Sequence, residues 1–276
     1  MAVTVTRRHN TVHNAWIRQF HDAGSDAGPG RPVLVCFPHA GGSASALIPL
    51  SEELSTAAEV LIVQYPGRQD RLAEPALEDL RLVADRATQA LTHWRDRPVA
   101  LFGHSMGSLV AYEVALRLER RWGRAPVGLF VSSRAAPCVT FNRGIHTMDD
   151  ERLTAHLASL AGTPPALLAD KELLAAILPS VRADYRAVET YQDRAGYKVG
   201  CPISSYCGDK DAGVPRDGLG KWADYTTAQW TSRLFDGGHF YLQSRRHELA
   251  LAIRQDLAAF TAHSTVEHDR QRAGAF

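Results

Sequence analysis

No stretch of the chain approaches the ~18 consecutive apolar residues that a membrane-spanning helix needs. Its start, Met-Ala-Val-Thr-Val-Thr-Arg-Arg, has no apolar segment after the charges. A secretion signal and a membrane anchor are therefore not expected, and the chain is read as cytoplasmic. An excess of charge of either sign is also missing, since 31 Lys and Arg stand against 30 Asp and Glu for a formal net charge of +1. That balance removes the electrostatic case for nucleic acid or an anionic membrane surface as the main partner. Cysteine is scarce. Cys36, Cys138, Cys201 and Cys207 fit neither the close pairs of a zinc site nor a disulfide framework, and are read as reduced core residues. The Gly-x-x-x-x-Gly-Lys and Gly-x-Gly-x-x-Gly loops that cradle phosphates are absent, as is any cluster of metal ligands, so neither a cofactor nor a metal is expected. Internal repeats, low-complexity tracts and interdomain linkers are lacking too.

What is present suits a globular enzyme with a large core: 276 residues, 45% of them hydrophobic and 22% charged. Short β-type runs alternate with helical patterns. Val33–Phe37 precedes a helical stretch at 44–54, 60–64 precedes 77–94, and 99–102 precedes 105–122, with a further strand at 127–132. Such alternation predicts a doubly wound, mostly parallel sheet of the α/β class. Residues 14–20, bearing Trp16, Ile17 and Phe20, read as an added edge strand before a Gly/Asp/Pro-rich turn at 24–32.

From about residue 135 to 200 the strand rhythm stops, and 149–160 and 171–191 place apolar residues at helical spacing. Asp149 reads as the N-cap of the first of these helices, and Gly162-Thr-Pro-Pro as its stop. An insertion after the C-terminal end of a strand sits where α/β sheets bind ligands, so this segment is expected to be a helical lid. Strands resume at 203–207 and 231–235, and an amphipathic helix at 246–260 closes the fold. One domain is expected over residues 1–262, with its core at 14–134 and 201–262 and the lid at about 135–200. A disordered tail is expected over 263–276.

Residues 98–107 read Pro-Val-Ala-Leu-Phe-Gly-His-Ser-Met-Gly, an apolar strand running into Gly-x-Ser-x-Gly and then a helix. A serine on a tight strand-to-helix turn requires Gly103 and Gly107, because a Cβ at either place collides with the neighbouring strand or helix. The pentapeptide alone arises in a random chain of this length roughly one time in ten, so the flanking strand and helix carry the inference. Nucleophilic serine needs a base, and the base an orienting carboxylate, in the chain order Ser, Asp or Glu, His on this type of sheet. Asp211 follows strand 203–207 in Gly-Asp-Lys-Asp, with Asp209 as the rival acid. Asp211 is favoured because the first aspartate of such a turn more often folds back on backbone N–H groups. His239 follows strand 231–235 in Asp-Gly-Gly-His-Phe. Among the 12 histidines, His104 lies inside the elbow and is read as packed rather than basic. The oxyanion hole is expected from the N–H of Met106 and of Ala40, the latter in Pro38-His-Ala-Gly-Gly after the first core strand.

Taken together, Phe37-Pro-His-Ala-Gly-Gly-Ser, Gln64-Tyr-Pro-Gly-Arg-Gln-Asp-Arg, Phe102-Gly-His-Ser-Met-Gly, Leu178-Pro-x-x-Arg-Ala-Asp-Tyr and the Gly-Asp-x-Asp to Gly-Gly-His-Phe pairing resemble one family. They are similar to the stand-alone type II thioesterases of polyketide and nonribosomal peptide synthesis, over about residues 16–260. The resemblance implies an α/β-hydrolase fold and hydrolysis of aberrant or stalled acyl groups from the phosphopantetheine arm of acyl or peptidyl carrier proteins. It carries the catalytic roles onto Ser105, Asp211 and His239 and the oxyanion amides onto Ala40 and Met106. Two departures stand out. Ser132-Ser-Arg-Ala-Ala-Pro varies the family's Ser-Gly-Arg-x-Ala-Pro, and residues 201–207 are more polar and cysteine-rich than the family's usual Val/Ala/Leu strand.

The rival readings are a carboxylesterase or acyltransferase acting on a small biosynthetic intermediate, and a non-catalytic carrier-protein chaperone of the same fold. The chain is taken as a monomer. Leu153, Leu157, Leu160, Leu173, Leu174, Ile177 and Leu178 are candidates for lining an acyl chamber, with helix packing as their alternative use. Arg134, Arg143, Arg182 and Arg186 are candidates for meeting an acidic carrier protein, with solvated faces as theirs.

Overall fold

The computed structural model describes residues 14–21, 30–140, 142–160, 162–193 and 196–273, with side-chain surroundings as far as residue 262. Among these residues one sheet has seven strands, β1 (Ile17–Arg18), β2 (Val33–Phe37), β3 (Glu59–Val63), β4 (Val99–His104), β5 (Leu129–Ser132), β6 (Ile203–Gly208) and β7 (Trp230–Phe235). Their order is β1-β3-β2-β4-β5-β6-β7. β1 runs antiparallel to β3, with Ile17 opposite Val63, and every other pair is parallel. The helices are α1 (Ile48–Leu54), α2 (Leu80–Ala90), α3 (Met106–Trp122), α4 (Asp150–Ser159), α5 (Pro165–Ala169), α6 (Lys171–Glu189), α7 (Arg216–Gly220), α8 (Tyr241–Ser244) and α9 (Arg246–Ala273).

Side chains alternate across a strand, and here both faces of the central strands β2 to β5 are covered, so those strands read as near-continuous apolar runs. In β2, Val33, Val35 and Phe37 join the core beneath α2 and α3, whereas Leu34 and Cys36 join the core beneath α1 and α9. β4 divides in the same way, Val99 and Leu101 to the first core and Ala100 and Phe102 to the second. This is the doubly wound sheet that the strand and helix alternation predicts. The chain winds outward from β2 to β3 and then returns to place β4 on the other side of β2. Such a switch point opens a crevice at the C-terminal ends of β2 and β4.

Several boundaries differ from the sequence expectation. The stretch 77–94 becomes helical only at Leu80, because the Asp79 carboxylate accepts the Arg81 and Leu82 N–H groups as an N-cap, and it tightens into a 3-10 turn at Thr92–Trp94. The stretch 44–54 divides into a 3-10 turn, Ala44–Leu47, and α1. Asp149 does cap α4, its side chain accepting the Arg152 N–H, and Asp170 caps α6 in the same way. The short α5 between them was not foreseen. The closing helix runs on to Ala273, through most of the stretch expected as a disordered tail. Residues 261–273 contain neither Gly nor Pro to stop it, and residues 274–276 lie outside the described residues. So does most of the turn expected at 24–32.

Cys36, Cys201 and Cys207 are buried, but Cys138 is exposed in the loop beyond β5, contrary to its expected place in the core. No helix among the described residues is long and apolar enough to cross a membrane.

Candidate active site

β4 ends at His104 and α3 starts at Met106, leaving Ser105 alone at the turn with φ 54° and ψ −117°. A serine held there carries ~1–3 kcal/mol of backbone strain, offset by the packing around it. The crossing is too close for side chains. A Cβ on Gly103 would lie 2.1 Å from the Gly107 carbonyl oxygen, and one on Gly107 would lie 2.0 Å from that of Phe37. The Ser105 N–H donates to the Ser132 carbonyl at 2.8 Å, anchoring the turn to β5.

β6 and β7 deliver their loops to the same end of the sheet. Gly208 lets them meet, since a Cβ on it would lie 2.3 Å from the Gly237 and Gly238 carbonyl oxygens. His239 Nε2 then stands 3.0 Å from Ser105 Oγ, and His239 Nδ1 stands 2.8 Å from Asp211 Oδ2. The other Asp211 oxygen accepts the Gly213 N–H at 2.9 Å. Asp209 instead accepts the Gly237 N–H at 3.0 Å, so it shapes the histidine loop and does not meet the imidazole. Burial by itself would raise the Asp211 carboxyl, but the hydrogen bond and charge of His239, with the Gly213 amide and Ser133, outweigh it and hold Asp211 below its ordinary range. Asp211 therefore stays an acceptor beside the ring.

His104 is fully buried. Its Nδ1 lies 2.9 Å from Ser132 Oγ, which in turn lies 2.9 Å from the Tyr241 hydroxyl, so the ring ties the elbow to β5 and to α8. The His104 and His239 rings are 5.3 Å apart, and Phe240 packs edge-on between His239 and His39. Burial, then the nearby His239 charge, pushes His39 down to about 3 and His104 well below its ordinary value. Protonation is thus opposed on both rings, and His239 is the ring that faces Ser105.

The serine opens into a cavity of about 360 Å³ that also exposes Ala40, Met106 and His239. Val139, Leu160, Val188 and Val214 supply apolar walls, and Arg134, Arg143, His156 and Tyr185 supply polar ones. Burial lowers the Arg134 guanidinium to about 10, and His156 Nε2 meets the Tyr185 hydroxyl at 3.0 Å. Of the seven lid leucine and isoleucine candidates only Leu160 lines this cavity. Leu153, Leu157 and Leu178 form a core within the insertion with Ile145, Val181 and Tyr185, the last of which also reaches the cavity, and Leu173 is 43% exposed. Of the four arginines, Arg182 pairs with Asp150 at 2.7 Å and Arg186 with Glu78 at 3.1 Å. Arg134 and Arg143 face the cavity.

The sequence reading missed Arg134, His156 and Tyr185 as cavity groups, and it missed the pairing of Arg68 with Asp184. Arg68, Asp184 and Tyr185 sit inside the family-like motifs, which was the only signal available. No group of three His, Cys, Asp or Glu that could hold a metal ion occurs among the described residues.

A switch-point crevice, a serine on a strand-to-helix elbow and a histidine and carboxylate from later loops define an α/β-hydrolase. Residues 32–257 match the thioesterase domain family. The chain is 43% identical to Thioesterase PikA5 of Streptomyces venezuelae, over 90% of this chain and 87% of that protein. It is 34% identical to the gramicidin S biosynthesis protein GrsT of Aneurinibacillus migulanus, over 78% of this chain and 85% of that protein. Among solved structures it is similar to the type II thioesterase BorB from the borrelidin biosynthetic cluster, at 42% identity and a TM-score of 0.81, covering 90% of this chain and all of that one. The chain belongs to the thioesterase family, and its relatives include type II thioesterases of polyketide and nonribosomal peptide pathways.

Proposed function

We propose that this protein is a serine thioesterase that hydrolyses acyl groups from the phosphopantetheine thioester of acyl or peptidyl carrier protein domains, editing or releasing chains during polyketide or nonribosomal peptide synthesis. The observation that carries the proposal is the hydrogen-bonded run from Asp211 through His239 to Ser105, ending at a cavity wide enough for an acyl chain. Ser105 is the nucleophile. His239 Nε2 takes its proton as Oγ attacks the thioester carbonyl, while Asp211 holds Nδ1–H and stabilises the imidazolium. The carbonyl oxygen becomes an oxyanion held by the Ala40 and Met106 N–H groups, both at the cavity beside Ser105. The tetrahedral intermediate collapses as the C–S bond breaks and His239 returns its proton to the departing pantetheine sulfur, a thiol whose pKa near ~8.5 makes it an easier leaving group than an alkoxide. Water activated by His239 attacks the acyl-serine and releases the acid.

In this proposal the chain acts as a cytoplasmic monomer with no cofactor of its own, the pantetheine arm being part of the substrate. Similarity to thioesterases at over 40% identity favours thioesters above the oxygen esters of the rival reading. The test is mass-spectrometric release of acetyl, propionyl and longer acyl groups from phosphopantetheinylated carrier protein. Wild-type release that Ser105→Ala abolishes is the expected result. No wild-type release with any chain would overturn the proposal.

A further inference from the structure

We infer that Arg68 and Asp184 are a positioning pair that sets the oxyanion-hole amide of Ala40 from lid helix α6, an inference that rests on the serine thioesterase mechanism above. Arg68 follows β3 and Asp184 lies on α6. Their side chains are 5% and 4% exposed and meet through two parallel bonds, Nη1 to Oδ2 at 2.8 Å and Nη2 to Oδ1 at 3.0 Å. Neither stops at its partner. Asp184 Oδ2 also accepts the Gly41 N–H at 2.7 Å, and Arg68 Nη1 also donates to the Gly42 carbonyl at 3.0 Å.

These bonds grip the loop that follows β2 on the C-terminal side of Ala40. On the near side the Tyr65 hydroxyl donates to the Pro38 carbonyl at 3.3 Å, and the turn itself closes with the Gly42 N–H on the His39 carbonyl at 2.9 Å. Gly41 has φ +76°, and a Cβ on it would lie 2.9 Å from Val181 Cγ2, one turn before Asp184 on α6. The lid helix thus touches the loop through a polar and an apolar contact, one residue beyond Ala40.

A buried ion pair is weak evidence of stabilisation, because an apolar pair of similar volume is often as stable. What an apolar pair could not do here is satisfy the Gly41 N–H and the Gly42 carbonyl. Those two groups fix the Ala40–Gly41 and Gly42–Ser43 peptides, and through the Gly42 N–H on the His39 carbonyl they set the neighbouring peptide that carries the Ala40 N–H. An oxyanion donor contributes only when aimed at the position the oxygen takes in the transition state.

The experiment compares wild type, Asp184→Asn and the apolar double variant Arg68→Met with Asp184→Leu on acyl-pantetheine thioesters. It also measures affinity for an acyl trifluoromethyl ketone, whose adduct with Ser105 places an oxyanion in the hole. Asp184→Asn is expected to lower kcat by ~10- to 100-fold with KM little changed. The double variant is expected to keep the wild-type Tm while kcat stays at least as low. Ketone affinity is expected to fall by the same factor as kcat/KM. A folded double variant with wild-type kcat and ketone affinity would overturn the inference, because a purely structural pair can be replaced by packing. Wild-type enzyme that leaves thioesters intact would sink the thioesterase proposal instead, and the ketone affinities would then decide the positioning role by themselves.

Discussion

At the turn between β4 and α3 the constraint falls on the backbone. Main-chain atoms of β2, β4 and α3 approach so closely that positions 103 and 107 have no room for a Cβ. In the insertion between β5 and β6 the constraint falls on side-chain volume. Leu153, Leu157, Leu178 and Val181 fill a small core of their own, and Leu160, a turn away, turns into the cavity. The first kind of constraint admits one residue type at each place and leaves a fixed motif. The second admits any apolar residue of suitable size, so it leaves only a helical period. Under the proposed function the chemistry falls in the first region and the choice of acyl chain in the second.

The strongest way to break this contrast is to add one methyl group at the elbow. Gly107→Ala is expected to cost about 3–5 kcal/mol and to remove activity, since its Cβ meets the Phe37 and Pro38 carbonyls and must displace the loop that holds Ala40. Thermal unfolding and acyl release measured on the same preparation check it, and a stable, active variant would show that the elbow tolerates relaxation.

Asp211→Asn should leave the fold and KM nearly intact while kcat falls by about 10⁴, because the amide no longer holds Nδ1–H of His239 in the productive tautomer. Asp209→Asn, by contrast, keeps an acceptor for the Gly237 N–H and should retain most activity. Steady-state kinetics of the two variants side by side test the assignment of the acid.

In the insertion the contrast is between two leucines three residues apart. Leu157→Ala, within the lid core, is expected to cost about 2–5 kcal/mol of stability without changing the order of preferred acyl chains. Leu160→Ala, on the cavity wall, should change stability little and shift relative kcat/KM between short and longer acyl groups by about 10- to 200-fold. Equal shifts in chain preference from both would show that the lid core and the cavity wall are not separate.

The most gradual effect is on acid stability. The unfolded chain protonates His39 near its ordinary 6.5, whereas the folded chain, in which burial and then the His239 and Arg68 charges oppose protonation, does so only at about 3. The unfolded state binds more protons in that window, so this contribution is whole above the upper value and is lost as pH falls toward the lower one, by at most ~1.4 kcal/mol per pH unit. His104, depressed in the same direction, adds to the slope, and Asp211 acts in a separate window below the ordinary carboxylate range. Replacing His39 with Gln should flatten denaturant-derived stability between pH 6.5 and 4, and an unchanged slope would assign the acid sensitivity elsewhere.

Much of the architecture was legible because the central strands β2 to β5 are buried on both faces and carry near-continuous apolar runs bounded by turn residues. Helix ends were less legible, since Asp79 ends the pattern at 77–94 by a side-chain cap that hydrophobic spacing does not register. The extension of α9 to Ala273 was missed for a related reason. Beyond residue 260 the sequence has no repeating apolar spacing for a pattern reading to register.

By itself the sequence determined the winding of the sheet, the elbow at Ser105, and the loops that carry Asp211 and His239, because these depend on local backbone geometry and on strand order. Only the tertiary structure decided which lid residues pack and which line the cavity. It alone brought Arg68 and Asp184, 116 positions apart, onto the Gly41 and Gly42 peptides. A contact between distant segments satisfies polar groups that each segment, read alone, gives no reason to expect unpaired.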